Sequence, residues 1–240
     1  MNGHRTCIIC SPRSGSQLCE KLISEIHCAV VLGEYFENWN RSRFELDSNN
    51  NLTQTAFIRI SSKLDIADNL NDRLDLLTRV NPSNPLVLRI FLMDDYDKDN
   101  FAQILKCLQD LGFEFIVLSR NTKDQVLSFM IALSYKVLKN KNVFGINIEI
   151  NESVFVDLQL LGPIFDNLIK TCVNWQNNLS SVIKDLPYQS VEYETIVQDL
   201  ENIYKTTFSY QGKKSITVPY MDLINNKDEV TNYLRSKSIK

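Results

Sequence analysis

The segment Ser11-Pro12-Arg13-Ser14-Gly15-Ser16-Gln17 gathers in seven residues most of what is needed to hold an oxyanion. Gly15 lets the backbone approach a ligand closely, Ser14 and Ser16 bring hydroxyls, and Arg13 brings a fixed cation. If a helix starts at Ser16, its first backbone amides point outward at the same place. The same residues would equally serve as a plain helix start with an exposed arginine. The pattern G-x-x-x-x-G-K-[ST] is absent, so this is not a Walker A loop. A second chemical oddity is Arg89, a cation inside the apolar run 86–92. A buried unpaired charge is costly, so Arg89 must face either a ligand at the strand's end, as an acceptor-site candidate, or a carboxylate. Metal chemistry is not indicated. Cys7 and Cys10 form a C-x-x-C within a presumptive strand, where positions i and i+3 point to opposite faces, and the two histidines, His4 and His27, are far from other ligand types.

The elements that would position these groups can be read from periodicity. Thr6–Cys10 is a strand buried on both faces, and Ser16–Ile26 is a helix with Leu18, Leu22, Ile23 and Ile26 on one side. Leu86–Leu92 and Phe113–Ser119 read as further buried strands. Lys98–Leu111, Lys123–Leu138 and Leu158–Ile183 read as helices, the last with apolar residues at alternating three- and four-residue steps. Tyr188–Tyr193 reads as a short strand and Thr195–Phe208 as a helix, whereas the polar stretch Asp47–Thr55 reads as a surface loop. Strands alternating with helices predict an α/β fold, a mostly parallel central sheet flanked by helices.

The 240 residues fit a single domain spanning 1–240, and 44 % hydrophobic with 23 % charged residues is ordinary for a globular core. No stretch approaches the roughly 20 apolar residues a bilayer span needs. A net charge of −3 argues against nucleic-acid binding through a broad basic face. Six cysteines, with no signal peptide evident at the start, predict reduced thiols and a cytoplasmic location.

P-[KR]-[ST]-G-[ST], placed between a first buried strand and the first helix, resembles the 5′-phosphosulfate loop of sulfotransferases that use 3′-phosphoadenosine-5′-phosphosulfate (PAPS). That family has a second element, a strand ending in Arg with a Ser eight residues on, which together hold the donor's 3′-phosphate. Here Phe113–Ser119 ends at Arg120 and Ser128 follows eight residues later, slightly more than two helical turns, so that Ser128 can return to the side facing Arg120. An arginine suits the role because its planar fork grips phosphate at two points. Finer features look like the bacterial trehalose 2-sulfotransferase-type branch. Gly33-Glu34-Tyr35-Phe36 resembles its E-F-F-like tripeptide, and Val126-Leu-Ser-Phe129 its A-V-S-F. Trp175 and Val191-Glu-Tyr-Glu194 resemble later segments. The loop opens with Ser-Pro rather than Ser-Gln, and residues 40–85 show no match.

The resemblance implies a three-layer P-loop-like fold and sulfonyl transfer from PAPS to a hydroxyl of a small-molecule or carbohydrate acceptor, without a metal. It assigns donor binding to Arg13, Ser14, Gly15, Ser16, Gln17, Arg120 and Ser128, with Tyr193 against the adenine or lining the pocket. Arg13 would also stabilise the leaving group. Glu34 would be the general base, with Glu37 and then His27 as alternatives, and Glu37 and Arg89 are acceptor-side candidates. Two other readings remain open: a P-loop-like nucleotide kinase, for which Asp94-Asp95 is the nearest metal-binding pair, and a non-catalytic nucleotide-binding protein. A homodimer is also left open.

Overall fold

The computed structural model describes residues 3–36, 40–59, 66–91, 98–140, 152–206 and 219–239. Glu37, and the pair Asp94-Asp95, lie outside them.

Five strands form one sheet: β1 (Arg5–Cys10), β2 (Val30–Gly33), β5 (Leu86–Phe91), β6 (Glu114–Ser119) and β7 (Tyr188–Glu192). Their spatial order is β2-β5-β1-β6-β7, with all neighbours parallel. Two further strands, β3 (Asn40–Leu46) and β4 (Leu52–Arg59), pair with each other as an antiparallel hairpin. The chain returns between parallel strands through α1 (Ser16–His27), α2 (Ile66–Arg79), α3 (Lys98–Asp110), α4 (Thr122–Leu138) and α5 (Leu158–Val182). α6 (Ile196–Tyr204) and α7 (Lys227–Ser236) follow β7. This is the α/β architecture the alternation predicts.

Alternation along the buried strands sorts the core into two faces. Cys7 and Ile9 of β1 join Leu88, Phe115 and Val117 under α2, α3 and part of α5, where Trp175 is a core aromatic. Ile8 and Cys10 face the other way, with Val87, Ile116 and Leu118, under α1 and α6. The C-x-x-C is therefore split across the sheet, and both thiols are free. A third cluster joins α4, α5 and α7, with Phe165 and Met130 fully buried. Among the described residues, no helix is long and apolar enough to cross a membrane.

Several elements differ from the sequence reading. Residues 47–55 are not a continuous loop: Asp47 accepts from the Asn49 and Asn51 amides at 2.8 Å each, which closes a turn, and β4 starts at Leu52. The first half of that strand, Leu52-Thr53-Gln54-Thr55, is mostly polar and reads as loop. β2, α2 and α7 were also absent from that reading. β2 is only four residues long at the sheet edge, and α7 opens on the polar sequence Lys227-Asp228-Glu229. The last helix before residue 206 ends at Tyr204 rather than Phe208, with Lys205 left-handed at φ 50°.

His27 closes α1 at the foot of the sheet, beside the amino end of β1. Its ring stacks on His4 with centroids 4.0 Å apart and meets Tyr204 edge-on. That end is opposite the 11–17 loop, so His27 is remote from the candidate anion site. Burial first, and the neighbouring His4 second, push its pKa down to about 4. The folded state thus holds fewer protons on this ring than the unfolded chain, whose histidine titrates near 6.5. The stabilising contribution is present above that value and is lost as pH falls toward 4. The urea midpoint of the parent should therefore decline more steeply between about pH 6.5 and 4 than that of His27→Phe; parallel curves would contradict this.

Candidate functional site

β1 lies at the centre of the sheet, and the chain leaves its carboxyl end through the 11–15 loop. In open α/β sheets this is where ligands sit. The Ser14 N–H bonds back to the Ser11 carbonyl at 3.3 Å, closing a turn over Ser11–Ser14. Pro12 stands second in it and Arg13 third, with φ 63°. A positive φ at the third position is what a type II turn requires, and glycine usually fills it. Arginine there costs about 1–2 kcal/mol, so the surroundings must hold the turn.

They do so from α4. The Gln125 side-chain amide donates to the Pro12 carbonyl and, at 2.6 Å, to the Ser11 hydroxyl. Arg120 Nη1 donates to the Arg13 carbonyl at 2.7 Å. Two consecutive carbonyls are thus tied to one strand–helix junction. The Arg13 side chain completes the link, with Nη2 3.0 Å from the Ser128 hydroxyl. Ser128, eight residues beyond Arg120, does return to the site, but the hydrogen bond it makes is with Arg13. Asn121 caps α4 by accepting from the Lys123 and Asp124 amides, which fixes the helix directly after Arg120.

Arg120 lies between two tyrosines. Its guanidinium carbon is 4.1 Å from the Tyr193 ring centroid and 5.3 Å from that of Tyr220, and Nη2 donates to the Tyr220 hydroxyl. The Tyr193 ring edge in turn lies against Gly15, where a Cβ would fall 2.1 Å from Cδ2. Gly15 has φ 90°, so both the turn and the close approach of the ring demand glycine. One face of Tyr193 is taken by Arg120, which makes it a platform for the guanidinium. Burial, and then the nearby Arg120 charge, lower the Arg13 pKa from its ordinary value.

The remaining loop groups sit where a helix start would put them. Ser14 and Ser16 are buried and Gln17 is exposed. The Ser16 and Gln17 amides open α1 and so have no acceptor within the helix. Ser14 and Ser16 both lie beside the Cys10 thiol, which burial pushes up to about 12. Cys10 is therefore not a nucleophile near neutral pH.

A second charged group lies on the same end of the sheet. Gly33 ends β2 with φ 64°, and Glu34 follows it. The Glu34 carboxylate is 3.1 Å from Arg89 Nη2, and Glu20 of α1 is 3.3 Å from Nη1. Arg89 thus reaches two carboxylates and is 5 % exposed, so it does not present its charge to an open acceptor site. Burial pushes the Glu20 pKa up to about 7, against the opposing effects of Arg89 and the Gly33 N–H.

Gln125, Tyr220 and Glu20 were missed from the sequence. Gln125 precedes Ser128 by one turn on the same buried face, and Glu20 interrupts the apolar stripe of α1; two polar residues in apolar stripes are a readable sign of partners. Tyr220 has no such signal. Among the described residues, no three His, Cys, Asp or Glu side chains meet in a way that could hold a metal ion. The chain matches no protein-family model and no curated protein at a significant level.

The Gly15–Tyr193 contact predicts a coupled pair. Gly15→Ala should cost about 2–3 kcal/mol of unfolding free energy in the parent, strain plus clash, but only about 1 in a Tyr193→Ala background, where the strain alone remains. Equal costs in both backgrounds, by urea denaturation, would contradict the contact.

Proposed function

We propose that this chain is a sulfotransferase that moves a sulfonate group from PAPS to a hydroxyl of a small-molecule or carbohydrate acceptor. One observation carries the reading. The two anion-binding elements, 107 residues apart in sequence, meet through Arg120 Nη1 on the Arg13 carbonyl and Arg13 Nη2 on the Ser128 hydroxyl. A ligand with two separated phosphate groups would satisfy both. The donor set fits such a ligand: Arg120 Nε is buried and, among the described residues, has no hydrogen-bond partner. The central strand with its loop and following helix supports the three-layer P-loop-like reading.

When bound, the donor supplies a sulfonate whose bond to the 5′-phosphate oxygen breaks as the acceptor oxygen bonds to sulfur, releasing adenosine 3′,5′-bisphosphate. Arg13 and the amides at the start of α1 bind the 5′-phosphate oxygen, where negative charge grows, and so favour the transition state over the ground state. Arg120 holds the 3′-phosphate and is itself held flat by Tyr193 and Tyr220. Ser128 orients Arg13. Glu34 accepts the acceptor's hydroxyl proton as the new bond forms. A kinase reading is less supported, because the 11–17 loop has no lysine to reach a terminal phosphate.

Arg120→Ala tests the assignment. It should weaken adenosine 3′,5′-bisphosphate binding by about 2–3 kcal/mol, the scale of a lost charge-assisted contact, and leave 5′-AMP binding nearly unchanged. Calorimetric titrations showing equal losses for both ligands would mean that Arg120 does not read the 3′-phosphate.

A further inference from the structure

The chain leaves α7 through Ser238, which is left-handed at φ 61°, a place where helices usually have glycine. Its N–H bonds to the Arg235 carbonyl, and the Ile239 N–H to that of Leu234, at 3.0 Å each. The two bonds turn the chain back, so that Ile239 is buried in the same cluster as Leu234. Thr231, Leu234, Arg235 and Ser238, three or four residues apart, share one side of α7 and its exit. With Ile239, Lys123 of α4 and Met221 of the short turn Tyr220–Leu223, they line a cavity of about 360 Å³. Ligand sites begin at roughly 300 Å³.

Charge distinguishes this cavity from the rest of α7. Lys227 and Lys237 are neutralised by Asp222 and Asp166, at 2.7 Å each. Lys123 and Arg235 meet no carboxylate among the described residues, where the Thr231 and Ser238 hydroxyls also make no hydrogen bond. Asp228, on the same side of α7, stands about two turns from Arg235. Two unneutralised cations and two hydroxyls thus share the cavity with the apolar Met221, Leu234 and Ile239.

We propose that the cavity is a second ligand site, independent of the sulfonyl donor, and that its ligand is a small organic carboxylate with a hydrocarbon body. The planar fork of Arg235 suits a carboxylate, and Lys123 adds a second positive charge. A hydrocarbon body would take the three apolar side chains out of water, whereas inorganic phosphate would leave them wet. The cavity adjoins the donor site, because Met221 follows Tyr220, whose hydroxyl accepts from Arg120. Competition with the donor's product is therefore part of the test.

Carbon-13 NMR of the methionine methyls, in the full chain without nucleotide, reads the cavity directly, and Met221→Leu assigns the Met221 signal. Octanoate should move that signal saturably and bind at least about tenfold more tightly than n-octanol, the scale of one charge-assisted contact. Lys123→Gln combined with Arg235→Gln, both at side chains that reach solvent, should abolish the preference. Adenosine 3′,5′-bisphosphate should leave the octanoate titration unchanged. An unmoved Met221 signal, equal binding of acid and alcohol, or a preference that survives the double variant would overturn the proposal. So would displacement of octanoate by adenosine 3′,5′-bisphosphate, which would make the cavity part of the donor site. Displacement by equimolar inorganic phosphate would overturn it too, by making the cavity a phosphate site.

Discussion

Arg13 and Arg120 are like charges held against one another at the carboxyl end of the central strand. Burial and the Arg120 charge together lower the Arg13 pKa from its ordinary value. The local structure is built to sustain that repulsion. Arg120 donates to the Arg13 carbonyl rather than facing its guanidinium, and its flat surface lies between the rings of Tyr193 and Tyr220. Arg13 finds the Ser128 hydroxyl. Gln125 fixes the preceding carbonyl, so a turn that would ordinarily use glycine keeps its arginine. Each of these groups depends on where α4 starts, and α4 is anchored by the buried cluster it shares with α5 and α7.

The Glu20–Arg89–Glu34 cluster is the complementary device. It is largely buried, one turn below the helix start whose amides favour an anion. Breaking a buried pair by removing one partner is strongly destabilising, so the cluster must be kept or lost together.

The sheet was legible because its strands are buried on both faces and read as short apolar runs between amphipathic helices. The edge strand β2 and the hairpin were not, since β2 has an apolar run of only three residues, Val30-Val31-Leu32, and the hairpin strands mix polar and apolar residues. Within the site, Arg13 and Gly15 could be found by their position after a buried strand, and Arg120 and Ser128 through the family resemblance. Their mutual contacts could not, because eight residues of spacing fixes a helix face and not a partner, and Ser128 turned to Arg13. Arg89 announced a need for a counter-charge, but only the register of β5 beside β2 and α1 identifies Glu20 and Glu34 as its partners. Glu37 lies outside the described residues.

The central claim is that two separate phosphate sites serve one ligand, and the parent protein can test it without any variant. Calorimetric titration with adenosine 3′,5′-bisphosphate and with ADP compares two adenosine ligands that each carry two phosphates. In one they are split between the 3′ and 5′ positions, and in the other both are at the 5′ end. The account predicts that the 3′,5′-bisphosphate binds at least about tenfold more tightly, a difference of about 1.4 kcal/mol. ADP binding as tightly or more tightly would contradict it.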